Sequence, residues 1–212
     1  MSNFDFDNDD NINVSELIAQ YEQSVKNDNT PFFDQDDYEA IVEYYEEKGQ
    51  FEHAMNAVEK SLQQYPYSSI LLIKKAQVYF ELKQLQLALE ILDKAEIFDS
   101  SEIGIYLLRA EIFTFQSRYK EAVDILEKLL ETSERDDLTD IYLQLCDVYE
   151  DWEKYFEVYD CLVACLKIDP NNEEALNRFN YCVEITDKYE ESIPFHKKLI
   201  DINPYNEFAW YN

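Results

Sequence analysis

Large apolar and aromatic side chains recur along this chain with a period of 34 residues. Five segments that begin near Gln35, Ser69, Ile103, Thr139 and Glu173 align with one another, and only the third is longer, by two residues. Three columns of the alignment hold large side chains in every segment, namely Tyr38, Leu72, Tyr106, Tyr142 and Leu176; Tyr45, Tyr79, Phe113, Tyr149 and Val183; and Phe51, Leu85, Tyr119, Tyr155 and Tyr189. A short polar turn divides each segment, so the pattern predicts two helices per segment and five helix pairs in succession.

Small residues and a closing proline complete the repeated pattern. The small column is Ala54, Ala88, Ala122, Val158 and Ser192. Pro66, Pro170 and Pro204 close three of the segments, and Ser100 stands in the proline column of a fourth. This order of residues resembles the tetratricopeptide repeat, which is a pair of antiparallel helices, and the array is similar to those of bacterial type. The resemblance implies an all-α fold in which the helix pairs stack into a right-handed superhelical solenoid.

The repeat register divides the chain into four kinds of segment. We expect a disordered acidic arm, a capping helix that opens at Ser15 with its linker, five repeats, and the start of a truncated sixth repeat. Their ranges are 1–13; 14–33; 35–68, 69–102, 103–138, 139–172 and 173–206; and 207–212. Trp210 falls in the column of Tyr38, which predicts a fragment of a longer protein, and the alternative is a natural aromatic plug.

The charge of the chain excludes several classes of partner. Its 46 acidic and 18 basic residues give a formal net charge of −28, which repels phosphate backbones and anionic lipid headgroups. We therefore expect neither nucleic acid nor a membrane surface as a partner. No segment has the ~20 apolar residues of a membrane span, and the acidic N-terminus is unlike a signal peptide, so a cytoplasmic location is predicted.

Four cysteines suggest a metal site, but the repeat columns favour a packing role. Cys161 and Cys165 are four residues apart on one predicted helix, and Cys146 and Cys182 could complete a zinc site. Other repeats fill the same columns with core residues, so we predict reduced, buried cysteines and no metal or other cofactor.

The acidic arm matches the ligand spacing of a calcium-binding loop. The matching residues are Asp5, Asp7, Asp9, Asn11, Asn13 and Glu16. Asp10 replaces the glycine that the sharp turn of such a loop requires, and four residues cannot form the leading helix. A solvated tail and a calcium loop therefore both remain open, and the missing glycine favours the tail.

No arrangement of residues indicates catalysis. The two histidines, His53 and His196, lie far apart in the sequence without a nucleophile motif near either one. Gly49 and Gly104 stand alone, so there is no glycine-rich phosphate loop. We predict a non-enzymatic protein.

The resemblance implies that the first helices of the repeats line a concave, peptide-binding groove. The residues in the groove-facing columns are Glu39, Glu43 and Glu47; Ile73, Gln77, Phe80 and Glu81; Leu107, Glu111 and Phe115; Leu143, Asp147, Glu150 and Asp151; and Asn177, Tyr181, Glu184 and Ile185. None of them is Lys or Arg, so they cannot form the carboxylate clamp of chaperone-binding relatives. Acidic residues with apolar residues between them predict a basic, partly apolar peptide or helix as the ligand.

Three functional hypotheses remain open on the sequence alone. The first is a protein-interaction scaffold, with possible self-association through an exposed C-terminal face. The second is an acidic nucleic-acid mimic that inhibits a basic protein, which requires acidic residues on the convex face or in regular rows, and a partner whose binding is sensitive to salt. The third is an interaction domain at the N-terminal end of a longer protein that has another activity.

Overall fold

The computed structural model describes residues 7–26, 32–202 and 204–205, and for 7–13 and Leu199 the backbone only. The described residues form eleven α-helices and no β-strand. The helices are α1 Asp7–Lys26, α2 Gln35–Glu47, α3 Phe51–Gln64, α4 Ser69–Glu81, α5 Leu85–Phe98, α6 Ile103–Phe115, α7 Tyr119–Thr132, α8 Leu138–Asp151, α9 Tyr155–Ile168, α10 Glu173–Thr186 and α11 Tyr189–Ile202. From α2 onward the helices form consecutive pairs, which confirms the predicted all-α fold of repeated helix pairs.

The described residues fall into two compact units. Unit 1 extends to Ile105 and unit 2 begins at Tyr106, so that the boundary lies within α6. In unit 1, α2 packs against α1, α3 and α4. In unit 2, α8 packs against α7 and α9, and α10 packs against α9 and α11. Each unit therefore has its own core.

Aromatic rings close the N-terminal end of the core of unit 1. Phe33 is buried between Tyr21 of α1 and Tyr38 of α2, with ring centroids 6.0 and 5.6 Å away. Tyr21 also makes an edge contact with Tyr45, at 6.3 Å between centroids. Burial of these rings fixes α1 on the first helix pair, because each aromatic side chain removes a large apolar area from water.

Small side chains let the helices of a pair approach closely in both units. Ala76 and Ala88 are fully buried in unit 1, and Ala122 and Cys146 are fully buried in unit 2. These residues belong to the small columns of the repeat, so the sequence pattern accounts for the close packing.

The turn between the two helices of each pair places one residue in the left-handed region. Its φ is +65° at Gly49, +59° at Lys83, Ser117 and Glu153, and +56° at Asp187. These five residues occupy one column of the repeat. Only the first is glycine, so four side chains are held in a conformation that costs about 1 kcal/mol each.

Helix α1 begins earlier than the sequence suggests. It starts at Asp7 rather than at Ser15, and this corrects the prediction that all of 1–13 is a disordered arm. Acidic residues early in the helix interact favourably with the positive end of the helix dipole. A calcium loop would need residues 7–13 to leave this helix. Residues 1–6, and the predicted start of a sixth repeat at 207–212, lie outside the described residues.

Candidate functional site

The predicted groove residues lie on the first helices of the pairs in both units. In unit 1 they belong to α2 and α4, which contact each other. In unit 2 they belong to α6, α8 and α10.

In unit 1, a lysine that the sequence analysis missed lies among the predicted acidic residues. Lys74 of α4 donates a hydrogen bond from Nζ to Glu43 Oε1 of α2, at 2.5 Å. Burial raises the pKa of the Glu39 carboxyl, and Lys74 opposes this increase. Lys74 therefore neutralises part of the negative charge that the groove columns of unit 1 carry.

Glu46 is a second functional candidate that the sequence analysis missed. Burial raises the pKa of its carboxyl to about 7, and Glu43 and Glu81 add to the increase, whereas Lys74 opposes it. Its Oε1 is buried, and no hydrogen-bond donor among the described residues reaches it. Burial without a donor therefore disfavours the charged form of the Glu46 carboxyl.

In unit 2, an arginine binds several of the predicted acidic residues. Arg178 of α10 is 17% exposed, and its Nη1 lies 2.9 Å from Asp147 Oδ1 and 2.9 Å from Glu174 Oε1. Its Nη2 lies 3.1 Å from Glu150 Oε1. Burial raises the pKa of Asp147, and Arg178 opposes this increase. The guanidinium thus joins α8 to α10 and leaves Asp147 and Glu150 less available to a ligand.

The ion pairs of the two units are equivalent by the repeat. Lys74 and Arg178 share one column, and Glu43 and Asp147 share another, so that each pair is separated by 31 residues along the chain. Both cations lie outside the groove-facing columns of the repeat. Each of them stands two residues after the column of Tyr38, Leu72 and Leu176. From this position a long basic side chain reaches the preceding repeat.

The structure corrects one predicted apolar contact residue. Phe80 is only 6% exposed, and the Nζ of Lys83 lies 5.0 Å from its ring centroid. The helix therefore turns this ring towards the core. Ile73 is half-buried because it packs against Gly104, where an added Cβ would lie 3.3 Å from Ile73 Cδ1. Unit 1 thus has no fully exposed apolar residue in the predicted groove columns.

Unit 2 differs, because it exposes large apolar side chains in these columns. Phe115 of α6 is 54% exposed and Tyr181 of α10 is 60% exposed. Leu107 and Leu143 are half-buried. Asp151 and Glu184 are exposed, and neither has an ion-pair partner within the described ranges. Exposed rings and unpaired carboxylates therefore occur together on the first helices of unit 2.

The cysteines occupy core positions, as the repeat columns predict. All four are buried and free of disulfide bonds. Hydrogen bonding to Cys161 and burial raise the pKa of the Cys146 thiol, and the Sγ of Cys182 donates to the carbonyl oxygen of Tyr155 at 3.2 Å. Among the described residues, no three His, Cys, Asp or Glu side chains are arranged to hold a metal ion.

Both histidines pack against aromatic rings. His53 stacks on the ring of Tyr45, with centroids 5.3 Å apart, and His196 is buried against Phe179. None of the described helices has both the length and the apolar character that a membrane crossing requires.

Comparisons with known proteins agree with this architecture. Residues 47–129 match the family model described as anaphase-promoting complex, cyclosome, subunit 3. No curated protein matches the sequence. Several solved structures do match in fold, at identities too low to carry function.

Three of these structures span most of the chain. A thermophilic TPR protein from Thermus thermophilus matches with a TM-score of 0.66 and 15% identity, over 80% of this chain and 90% of that one. The C-terminal part of a TPR repeat-containing protein from Cytophaga hutchinsonii matches with a TM-score of 0.62 and 18% identity, over 91% and 75%. MamA from Desulfovibrio magneticus RS-1 matches with a TM-score of 0.56 and 15% identity, over 80% and 95%.

Proposed function

We propose, from the premise that this chain is a tetratricopeptide repeat protein, that it is a non-enzymatic protein-interaction scaffold. Its ligand is a basic, partly apolar peptide or helix, bound by the first helices of unit 2. The observation that carries the proposal is the exposure of Phe115 on α6 and Tyr181 on α10, together with the unpaired carboxylates of Asp151 on α8 and Glu184 on α10.

The repeat columns explain how one ligand could use both kinds of residue. Phe115, Asp151 and Ile185 share one column on successive first helices, and Glu111, Asp147 and Tyr181 share another. Both columns thus contain apolar and acidic side chains at equivalent positions of successive first helices. An apolar anchor of the ligand would contact Phe115 or Tyr181, and a Lys or Arg beside it would face a carboxylate.

Internal ion pairs decide which carboxylates contribute. Glu43 and Asp147 are already bound by Lys74 and Arg178, so displacing them would cost the existing contacts. Binding a ligand through Asp151 or Glu184 breaks no ion pair among the described residues. The acidic residues that bind the ligand are therefore a small subset of those that the sequence suggests.

The nucleic-acid mimic is a weaker explanation because an acidic column of the second helices lies directly beside a column of lysines. Their exposed column Glu59, Asp93 and Glu127 stands directly before the column Lys60, Lys94 and Lys128. A mimic of a phosphate backbone needs regular negative charge, and the lysines interrupt it.

The test is selection of a peptide ligand, followed by matched substitutions. A displayed library of random peptides is panned on the protein, and the affinity of a selected peptide is measured by fluorescence polarisation. The selected peptides should be rich in Lys or Arg and contain an aromatic or aliphatic residue. Their affinity should fall as salt rises, because exposed charges are screened over about 8 Å at physiological ionic strength.

Two pairs of variants locate the binding surface. Phe115→Ala and Asp151→Lys should each weaken binding of the selected peptide by about tenfold or more. The controls, Phe156→Ala and Asp124→Lys, change exposed residues of the same types on the second helices of unit 2 and should leave affinity unchanged. Equal loss in the control variants, or selection of acidic peptides, would refute the proposal.

A further inference from the structure

The α10–α11 face of unit 2 carries a second apolar surface, which the first-helix site does not explain. Three large side chains that line one cavity between these two helices are exposed, namely Tyr181, Tyr189 and Ile193. This cavity has a volume of about 610 Å³, and Glu184 and His196 also line it. Exposed apolar patches of this kind mark interaction sites.

The preceding helix pair shows what covers such a face. Tyr159 of α9 is equivalent to Ile193 by the repeat, and it is only 7% exposed because it stacks on Phe179 of α10, with ring centroids 5.4 Å apart. Leu162, the equivalent of His196, is fully buried. Helix α10, an amphipathic helix that carries an aromatic residue, thus covers this position on the α8–α9 pair. On the α10–α11 pair the equivalent residue, Ile193, is 46% exposed.

A buried ring nitrogen beside the cavity lacks a hydrogen-bond partner. His196 is 5% exposed, and its Nδ1 has no hydrogen-bond partner among the described residues. Leu162, at the equivalent position, has no polar atom to satisfy. An unsatisfied buried ring nitrogen is costly, so a polar group of an occupant would gain by reaching it.

Charge selects among possible occupants. Glu184 lines the cavity, and Asp187 lies in the turn that joins α10 to α11. Lys188, which follows, is directed to Asp160 at 3.7 Å. A second copy of this chain would bring another net charge of −28 to an acidic surface, which opposes self-association.

We infer that the α10–α11 face docks an amphipathic helix of a basic partner protein, with an aromatic residue on Ile193 and Tyr189 and Lys or Arg beside Glu184. This interaction goes beyond the peptide site of the first helices. Tyr181 and Glu184 border both surfaces, whereas Tyr189, Ile193 and His196 belong to the α10–α11 face alone.

The probe is a peptide that copies α10, since α10 covers the equivalent face of the preceding pair. It has the sequence of residues 173–186, with Cys182 replaced by alanine and with Glu173, Glu174 and Glu184 replaced by lysine. The labelled peptide is titrated with the full chain and followed by fluorescence polarisation. We expect saturable binding, and about tenfold weaker binding of the peptide that keeps the three glutamates.

Ile193→Lys and Tyr189→Ala should each weaken binding of the lysine-substituted peptide by about tenfold or more. Ile97→Lys is the matched control, because Ile97 is 80% exposed on α5 of unit 1. Neither Ile193→Lys nor Tyr189→Ala should change binding of the peptides selected for the first-helix site, so that the two proposals fail separately. Far-ultraviolet circular dichroism establishes that each variant remains folded.

Three results would overturn the inference. The first is the absence of saturable binding, or binding that Ile193→Lys and Tyr189→Ala leave unchanged. The second is a dimer in light scattering that Ile193→Lys dissociates, because the occupant would then be a second copy. The third is binding that requires removal of residues 206–212, because the end of this chain would then occupy the face.

Discussion

Substituting Glu46 by glutamine should stabilise the protein at mildly alkaline pH and leave its stability nearly unchanged at acidic pH. The carboxyl is half-buried on α2, and burial raises its pKa from 4.5 to about 7. A carboxyl whose folded-state pKa is raised favours the folded state while it is protonated. Its contribution is fully present below pH 4.5 and is lost as the pH rises through about 7.

The magnitude follows from the change in pKa. A shift from 4.5 to about 7 corresponds to roughly 3 kcal/mol at full strength. Glu46 is partly exposed and Lys74 lies nearby, so solvent screening reduces the expected effect to about 1–2 kcal/mol. Glutamine keeps the shape of the side chain and cannot become charged. The variant therefore does not lose this stability as the pH rises.

The assay is urea unfolding of wild-type and Glu46→Gln protein, followed by circular dichroism at about pH 4.5 and pH 8.5. Glu47→Gln is the control, because Glu47 is the exposed neighbour on the same helix. We expect the variant to gain about 1–2 kcal/mol over wild type at the higher pH only. An equal difference at both pH values, or destabilisation at the higher pH, would refute the argument.

Three further predictions concern ion pairs, turns and thiols. Arg178→Met should destabilise the protein by about 2 kcal/mol in urea unfolding, and Lys74→Met by less, because Arg178 contacts three carboxylates that are themselves partly exposed. Equal losses would contradict this. Ser117→Gly should raise stability by about 0.5–1 kcal/mol in the same assay, because glycine relieves the positive φ, and a loss of stability would show that no strain is stored there. At about pH 8, Ellman's reagent should react slowly with the native protein and rapidly in urea, because burial raises the pKa of Cys165 and of Cys182 to about 11; a fast native reaction would refute this.

The architecture could be predicted because it repeats. Each column of large or small side chains, such as Ala88 and Ala122, appears in several copies, so that a single sequence carries five observations of one packing rule. The start of α1 at Asp7 lies outside the repeated region, and no second copy could indicate it.

The candidate site was harder to predict because it depends on side-chain direction. Phe80 and Phe115 both occupy groove columns, yet the first is buried under Lys83 and the second is exposed. Lys74 and Arg178 lie outside those columns and reach into them through long, flexible side chains. The positive φ of Lys83 could not be predicted from the sequence either, because the residue that normally indicates this conformation is glycine.

The most direct test of the central claim is a map of where a basic, partly apolar peptide binds. A peptide selected by panning is titrated into isotopically labelled protein, and the changes in backbone amide chemical shift are assigned along the chain. The account predicts that the largest changes cluster on the first helices of unit 2, around Phe115, Asp151 and Tyr181. Changes that instead cluster on the second helices, around Asp124 and Phe156, would contradict it.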